Sequence, residues 1–384
     1  MRILHITPEY HASPLYENLR LALQQRGVTQ RVYVADNRGL ELVRDGETEQ
    51  GILTYPKAFK LLERLAFFPK DRRVTRYFET DVQDFRPELI HAHKLFAGGS
   101  QALYYKQHYG IPYIVALRNT EVNSMLPYMP WLRPLARQIL QESRRIILIS
   151  PAYRAKLQGL FRPDAWQAIQ EKIEVIPNGI DPVFLSHLSQ HEPDKDCIRL
   201  IYIGRMEANK NILAILHTAD RLVQEGHRVS LRLVGDMTDE ALSQPIRARN
   251  YVQYFPKCTH EEVIRHLREA DIFLMPSRKE TFGLVYIEAM SQGLPVIYTR
   301  GQGIDGYFAE GEVGYSVLPD DIESIVTAVK NIRQHYSAMS QHCVSEAAAF
   351  DWQRIAERYL SIYNISIGQC QCQSQSQFET AKRR

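Results

Sequence analysis

Cysteine is scarce in this chain and follows no pattern. The 384 residues hold five, at Cys197, Cys258, Cys343, Cys370 and Cys372. None forms a C-x-x-C pair, and an odd number closes no disulfide framework, so a reducing cytoplasm is expected. Long apolar runs are missing too: none approaches the ~20 residues that a bilayer-spanning helix needs. The apolar start, Arg2 to Thr7, is too short for the core of an export signal and runs into Pro8-Glu9. The expectation is a protein neither exported nor integral to a membrane. Charge of one sign is also lacking. With 47 Lys and Arg against 44 Asp and Glu, the net charge of +3 gives no argument for nucleic acid as a partner.

What is present is an ordinary globular composition, 45% apolar and 24% charged. The length exceeds one ordinary core and predicts two domains of roughly 150–200 residues. Short apolar strands alternate with helical periodicity through both halves. Strands are expected at 3–7, 31–35, 89–92, 113–117, 145–149 and 173–176, then at 200–203, 230–234, 252–255, 272–275, 295–298 and 314–317. The fold class is therefore α/β, two doubly wound, Rossmann-like domains facing a cleft, with ligands beyond the carboxyl ends of the strands. The expected division is 1–180, a polar linker at 181–197, a second domain at 198–350, and a helix at 351–366. The low-complexity tail, 367–384, is expected to be disordered.

The strongest motif begins at Ser277 and runs through Glu280, Thr281-Phe282-Gly283-Leu284 and Glu288 to Gly293-Leu294-Pro295-Val296. Strand 271–275 meets Pro276, Gly283 permits a tight backbone, and the helix that follows stops at Gly293. Glu280 falls in the loop above the strand and Glu288 on the helix. The free N–H groups of Phe282, Gly283 and Leu284 suit a phosphate. A second motif is Gly204-Arg205 with Lys210 five positions on. Arg205 can fork onto two phosphate oxygens and Lys210 adds a point charge, together neutralising a diphosphate as it leaves.

These two motifs, in this order, resemble retaining glycosyltransferases of family 4, which have the GT-B architecture. The resemblance implies a UDP- or GDP-sugar donor, no metal requirement, and transfer of a hexose-type sugar to a hydroxyl acceptor: a glycan, a lipid-linked sugar or a small molecule. It implies that Glu280 contacts the sugar and Glu288 the ribose, with Gly204, Arg205 and Lys210 around the diphosphate. The helix after 351 would cross back to the first domain. In the first half, His91-Ala92-His93 follows a strand, and alternation puts both imidazoles on one face. No third metal ligand is evident, so His93 is expected near the donor sugar and His91 in the packing. Arg118 stands where relatives carry a histidine near the reacting sugar, either facing that centre or pairing with Glu121.

Two departures from the family stand out. The first loop, Pro8 to Tyr16, has no glycine where relatives have a Gly-Gly turn, and Pro256-Lys257 replace a glycine beside the base. The glycine-free loop, with Arg118, leaves open a non-catalytic nucleotide-sugar-binding protein, acting as a sensor or a partner subunit, while Pro256-Lys257 leave the base, uridine or guanosine, open.

Segment 57–76 interleaves seven cations and two acids with Phe59, Leu61, Leu62, Leu65, Phe67 and Phe68. Such a pattern fits a peripheral contact with an anionic membrane, and equally a helix packed on its own sheet with its cations turned outward.

Overall fold

The computed structural model describes residues 1–36, 51–56 and 67–382. It divides into two compact units. One comprises Met1–Ile149, Arg154–Ile176 and the segment from Trp352 onward; the other comprises Ser150–Tyr153 and Pro177–Asp351.

The first unit is a seven-stranded parallel sheet in the order β3-β2-β1-β4-β5-β6-β7. The strands are β1 (Arg2–Ile6), β2 (Thr29–Asp36), β3 (Ile52–Pro56), β4 (Leu89–Ala92), β5 (Tyr113–Leu117), β6 (Arg145–Leu148) and β7 (Ile173–Val175). The central strands are near-continuous apolar runs because helices cover both faces. Strand β3 was not foreseen, since its five residues lack a clear period. The helix Pro14–Gln24 starts at Ser13, whose hydroxyl accepts the Leu15 N–H. It packs on the final helix, which belongs to this unit: Trp352, Ile355, Tyr359, Ile362 and Tyr363 share a buried cluster with Ile3, Leu19, Leu23 and Leu89. That helix spans Trp352–Lys382, so its backbone stays helical through the stretch expected to be disordered. The run beyond Gly368 contains no proline to stop a helix already begun. The helical face at 58, 61, 62 and 65 lies outside the described residues; the described part of that segment begins the helix Phe67–Phe85.

The second unit is a six-stranded parallel sheet in the order β10-β9-β8-β11-β12-β13. Its strands are β8 (Ile198–Ile203), β9 (Val229–Val234), β10 (Val252–Phe255), β11 (Ile272–Leu274), β12 (Val296–Thr299) and β13 (Gly314–Val317). From β8 the chain proceeds to one side through β9 and β10, then returns to the other side at β11. The gap between the carboxyl ends of β8 and β11 is thus a topological switch point, where open α/β sheets hold ligands. In the first unit the same reversal falls between β1 and β4.

Candidate functional site

The switch point of the second unit gathers the predicted donor residues. Strand β8 ends at Gly204, and β9 at Gly235, whose φ is +134°; a Cβ there would stand 2.1 Å from the Gly204 carbonyl oxygen. Only glycine lets the two strand ends close so tightly. Beyond Gly204 the Arg205 carbonyl accepts the Tyr202 hydroxyl at 2.7 Å. The Arg205 side chain is 67% exposed and lies 3.9 Å from Glu207. A turn at Ala208–Lys210 then leads to Asn211, left-handed at φ +56°. Its side-chain amide donates to the Pro319 carbonyl at 2.6 Å, an anchor for that uncommon conformation.

The loop after β11 meets this turn. Lys210 Nζ lies 2.6 Å from Glu280 Oε2, and Glu280 is 8% exposed. Asn209 brings the pair together. Its side chain donates to the Lys279 carbonyl at 2.8 Å and accepts the Lys279 N–H at 3.0 Å, while its own carbonyl accepts the Arg278 N–H at 2.9 Å. Three bonds thus fasten two loops that are 70 residues apart in sequence. Glu280 Oε1 accepts the Thr281 N–H, leaving the carboxylate held from both sides.

Gly283 caps the helix Leu284–Ser291 at φ +80°, where a Cβ would meet the Tyr286 ring at 2.5 Å. The first amides of this helix have no intrahelical acceptor and carry the positive end of its dipole. Glu288 sits further along the helix, half-buried. Loss of water, and secondarily the charge of Asp181, push its carboxyl up to about 7. Asp181 caps the helix Pro182–Ser186 through the Val183 N–H and stands 3.3 Å from His260.

The first unit fills its switch point differently. His5 and His91 are partners across β1 and β4, and His93 follows two residues on. His5 Nδ1 and His93 Nε2 are 2.9 Å apart, and the His91 and His93 rings stack at 3.8 Å. His5 is the third imidazole that the sequence reading missed; strand adjacency is the signal that would have found it. The three rings offer one nitrogen each within 4.8 Å of one another. No carboxylate joins the group, and the charge of Arg118 opposes a cation there. Burial depresses all three: His5 falls to about 3, and His91 and His93 well below the usual histidine range.

His91 Nδ1 bonds the Tyr363 hydroxyl at 2.8 Å, a packing role as expected. His93, expected near the donor sugar, is 2% exposed, under the edge of the Tyr16 ring. Arg118 Nε donates to the His93 carbonyl at 3.3 Å, and the Arg118 backbone N–H donates to Glu121 at 3.1 Å. The anticipated partnership with Glu121 thus includes this backbone contact and the pull of the Arg118 charge on the Glu121 carboxyl. In the glycine-free first loop, Glu9 pairs with Lys94, and on the helix that follows Arg20 forks onto Glu17.

Comparison with known proteins gives a consistent picture. Residues 15–184 match the model described as Glycosyltransferase Family 4, and residues 186–349 match Glycosyl transferases group 1. Glycogen synthase of Mycobacterium tuberculosis is 26% identical over 300 residues, covering 73% of this chain and 69% of that protein. Among solved structures, sucrose-phosphate synthase from Thermosynechococcus elongatus superposes with a TM-score of 0.71 at 19% identity, covering 95% of this chain and 98% of that one. Anabaena HepE in complex with UDP and glucose gives 0.65 at 17% identity, covering 94% and 98%. Among the described residues, no helix is long and apolar enough to cross a membrane.

Proposed function

The chain belongs to the group 1 glycosyltransferases, and from that premise we propose that it moves a hexose-type sugar from a UDP- or GDP-sugar to a hydroxyl acceptor with retention of configuration. The observation that carries this reading is the ordered Lys210–Glu280 pair at the sheet's switch point, beside the amino end of the Leu284–Ser291 helix. HepE, similar in fold, holds UDP and glucose.

In this reading the diphosphate lies over the amides of Phe282, Gly283 and Leu284, where the helix dipole favours it. Arg205, already exposed beside Gly204, swings onto the phosphates, and Lys210 shares its charge between phosphate and Glu280. Glu280 accepts a sugar hydroxyl, its carboxylate fixed by the Thr281 amide and Lys210. Glu288 takes the ribose hydroxyls. The bond from the anomeric carbon to the diphosphate oxygen breaks, and the acceptor oxygen bonds to that carbon on the same face. The acceptor's proton goes to the departing phosphate oxygen, so no separate base is needed. Two protein cations already face the diphosphate, so transfer proceeds without a divalent metal.

Incubation with a panel of UDP- and GDP-sugars tests this. Slow release of nucleotide from one donor, undiminished by excess chelator, is the expected result. Binding of a donor with no release under any acceptor would make the protein a sensor, and loss of activity on chelation restored by manganese would overturn the phosphate assignment.

A further inference from the structure

Glu280 is flanked by two loops, and the transfer chemistry described above uses only one of them. Strand β11 pairs with β8 on one side and β12 on the other, so the loops leaving the carboxyl ends of all three stand next to one another. The loop after β8 brings Lys210. The loop after β12 spans residues 300–313 and has no part in that chemistry. It reads Gly301-Gln302-Gly303-Ile304-Asp305-Gly306, three glycines in six positions.

All three glycines take a positive φ, +71°, +57° and +77°, which side chains disfavour. The turns they allow are pinned from within. The Asp305 carboxylate accepts the Gly301 N–H at 2.6 Å, and the Asp305 N–H donates to the Gln302 carbonyl at 3.0 Å. Ile304 is fully buried, and the buried Ser150 hydroxyl donates to the Gly303 carbonyl at 2.5 Å. Tyr307 sets its ring edge-on to Phe282 at 6.1 Å. The loop is a built feature fastened to the Glu280 segment.

Its shape brings one polar side chain beside Glu280. A Cβ on Gly303 would stand 2.9 Å from the Phe282 carbonyl oxygen and 3.2 Å from Glu280 Cγ, so the absence of a side chain there is what lets the loop lean so close. Gln302 rides on that approach. Its Oε1 faces the Glu280 N–H at 3.5 Å, a long contact that turns the acceptor end of the amide toward the backbone. The other end, Nε2, carries two N–H donors. Among the described residues it has no bonded partner, and Gln302 is partly open to solvent.

We propose that Gln302 determines donor specificity: its side-chain NH2 donates to the oxygen of one hexose hydroxyl while Glu280 accepts the hydrogen of the neighbouring hydroxyl. This rests on the placing of the hexose at Glu280 in the transfer reading. One donor and one acceptor side by side read a vicinal diol. A hexose lacking either hydroxyl, or turning one to the other face of the ring, leaves a polar group of the site unanswered.

Calorimetric titration tests this on the full chain and on Gln302→Leu. The probes are UDP-glucose, UDP-galactose and GDP-mannose, the analogues lacking a single hydroxyl of whichever binds best, and UDP and GDP alone. Wild type should bind one such analogue about tenfold more weakly than its parent donor. Gln302→Leu should bind that analogue and the parent alike, while UDP and GDP bind both proteins equally. Gln302→Glu, of the same size but without the amide donors, should lose the same discrimination and serves if the leucine variant folds poorly. The assignment falls if wild type tolerates every missing hydroxyl, if Gln302→Leu leaves all affinities unchanged, or if it weakens UDP or GDP as much as the sugar donors, which would make Gln302 a prop for the loop. Discrimination through Gln302 without turnover would defeat the transfer reading and keep this assignment; turnover with discrimination intact in Gln302→Leu would do the reverse. A chain that binds none of these donors overturns both.

Discussion

The two sheets reverse their strand order in the same way and put opposite chemistry in the gap. In the second unit, β8 and β11 are separated by a charged pair, a cluster of glycines and the free amides of a helix. In the first, β1 and β4 are closed by three neutral imidazoles stacked under Tyr16, Tyr359 and Tyr363. One switch point is kept polar and reachable; the other is packed like a core. Topology thus provides a place for a ligand, and the side chains decide whether anything can enter.

The largest expected effect breaks this contrast from the packed side. The three histidines resist protonation when folded, whereas unfolded they take up protons near pH 6.5. Stability is therefore intact above that pH and is lost as pH falls below it, by about 1.4 kcal/mol per pH unit for each ring, roughly 4 in all. Urea unfolding followed from pH 7 to pH 4.5 should show this steep loss, and His91→Gln with His93→Gln should cut the slope to about one third. A shallow slope in the wild-type chain would mean that water already reaches the rings.

Next in size is the chemistry at the open side. Glu280→Gln should lower turnover by about 10²-fold or more while donor binding persists, as for a charge that matters most in the transition state. An equal loss in binding and turnover would make Glu280 a ground-state contact only. Asn209→Ala should cost about 1–2 kcal/mol, seen as a drop of roughly tenfold in kcat/KM, because it frees the Lys210 turn from the Glu280 loop. Unchanged kinetics would show the two loops to be independent.

The smallest effect sharpens the comparison by pH. With its carboxyl at about 7, Glu288 is partly protonated at neutrality. A ribose that donates hydrogen bonds to it favours the charged form, so nucleotide affinity should rise from pH 6 to pH 8 by up to about tenfold. Glu288→Gln should flatten that rise and weaken binding. Without ligand the raised carboxyl costs the fold stability as pH climbs from about 4.5 through 7, so the same variant should be more stable than wild type at pH 8, by about 3 kcal/mol, and equal to it at pH 4. Calorimetry in buffers of different ionisation enthalpy would count the proton released on binding.

Local signals carried most of the fold and the donor motifs. Gly283, the two glutamates and the Gly204-Arg205 turn each announce themselves through neighbours in sequence. What could not be read depends on strand order. The Lys210–Glu280 pair and the Asn209 bridge exist because β8 lies beside β11, and the third histidine because β1 lies beside β4. The rise at Glu288 comes first from burial in the folded chain and then from Asp181, which is more than a hundred residues earlier. Strand β3 and the continuation of the last helix were missed for another reason: short or low-complexity stretches have too little pattern to reveal the structure around them.

The Asn209 bridge has a bearing on how such proteins can be recombined. Because Asn209 and Lys279 exchange hydrogen bonds in both directions, segment 204–211 and segment 276–280 form one functional cassette written in two places. A chimera that imports only one of them from a relative would carry both motifs intact in sequence and yet present them out of register. Crossovers placed between β8 and β11 should therefore give folded but inactive hybrids, and function should return when both pieces come from the same parent.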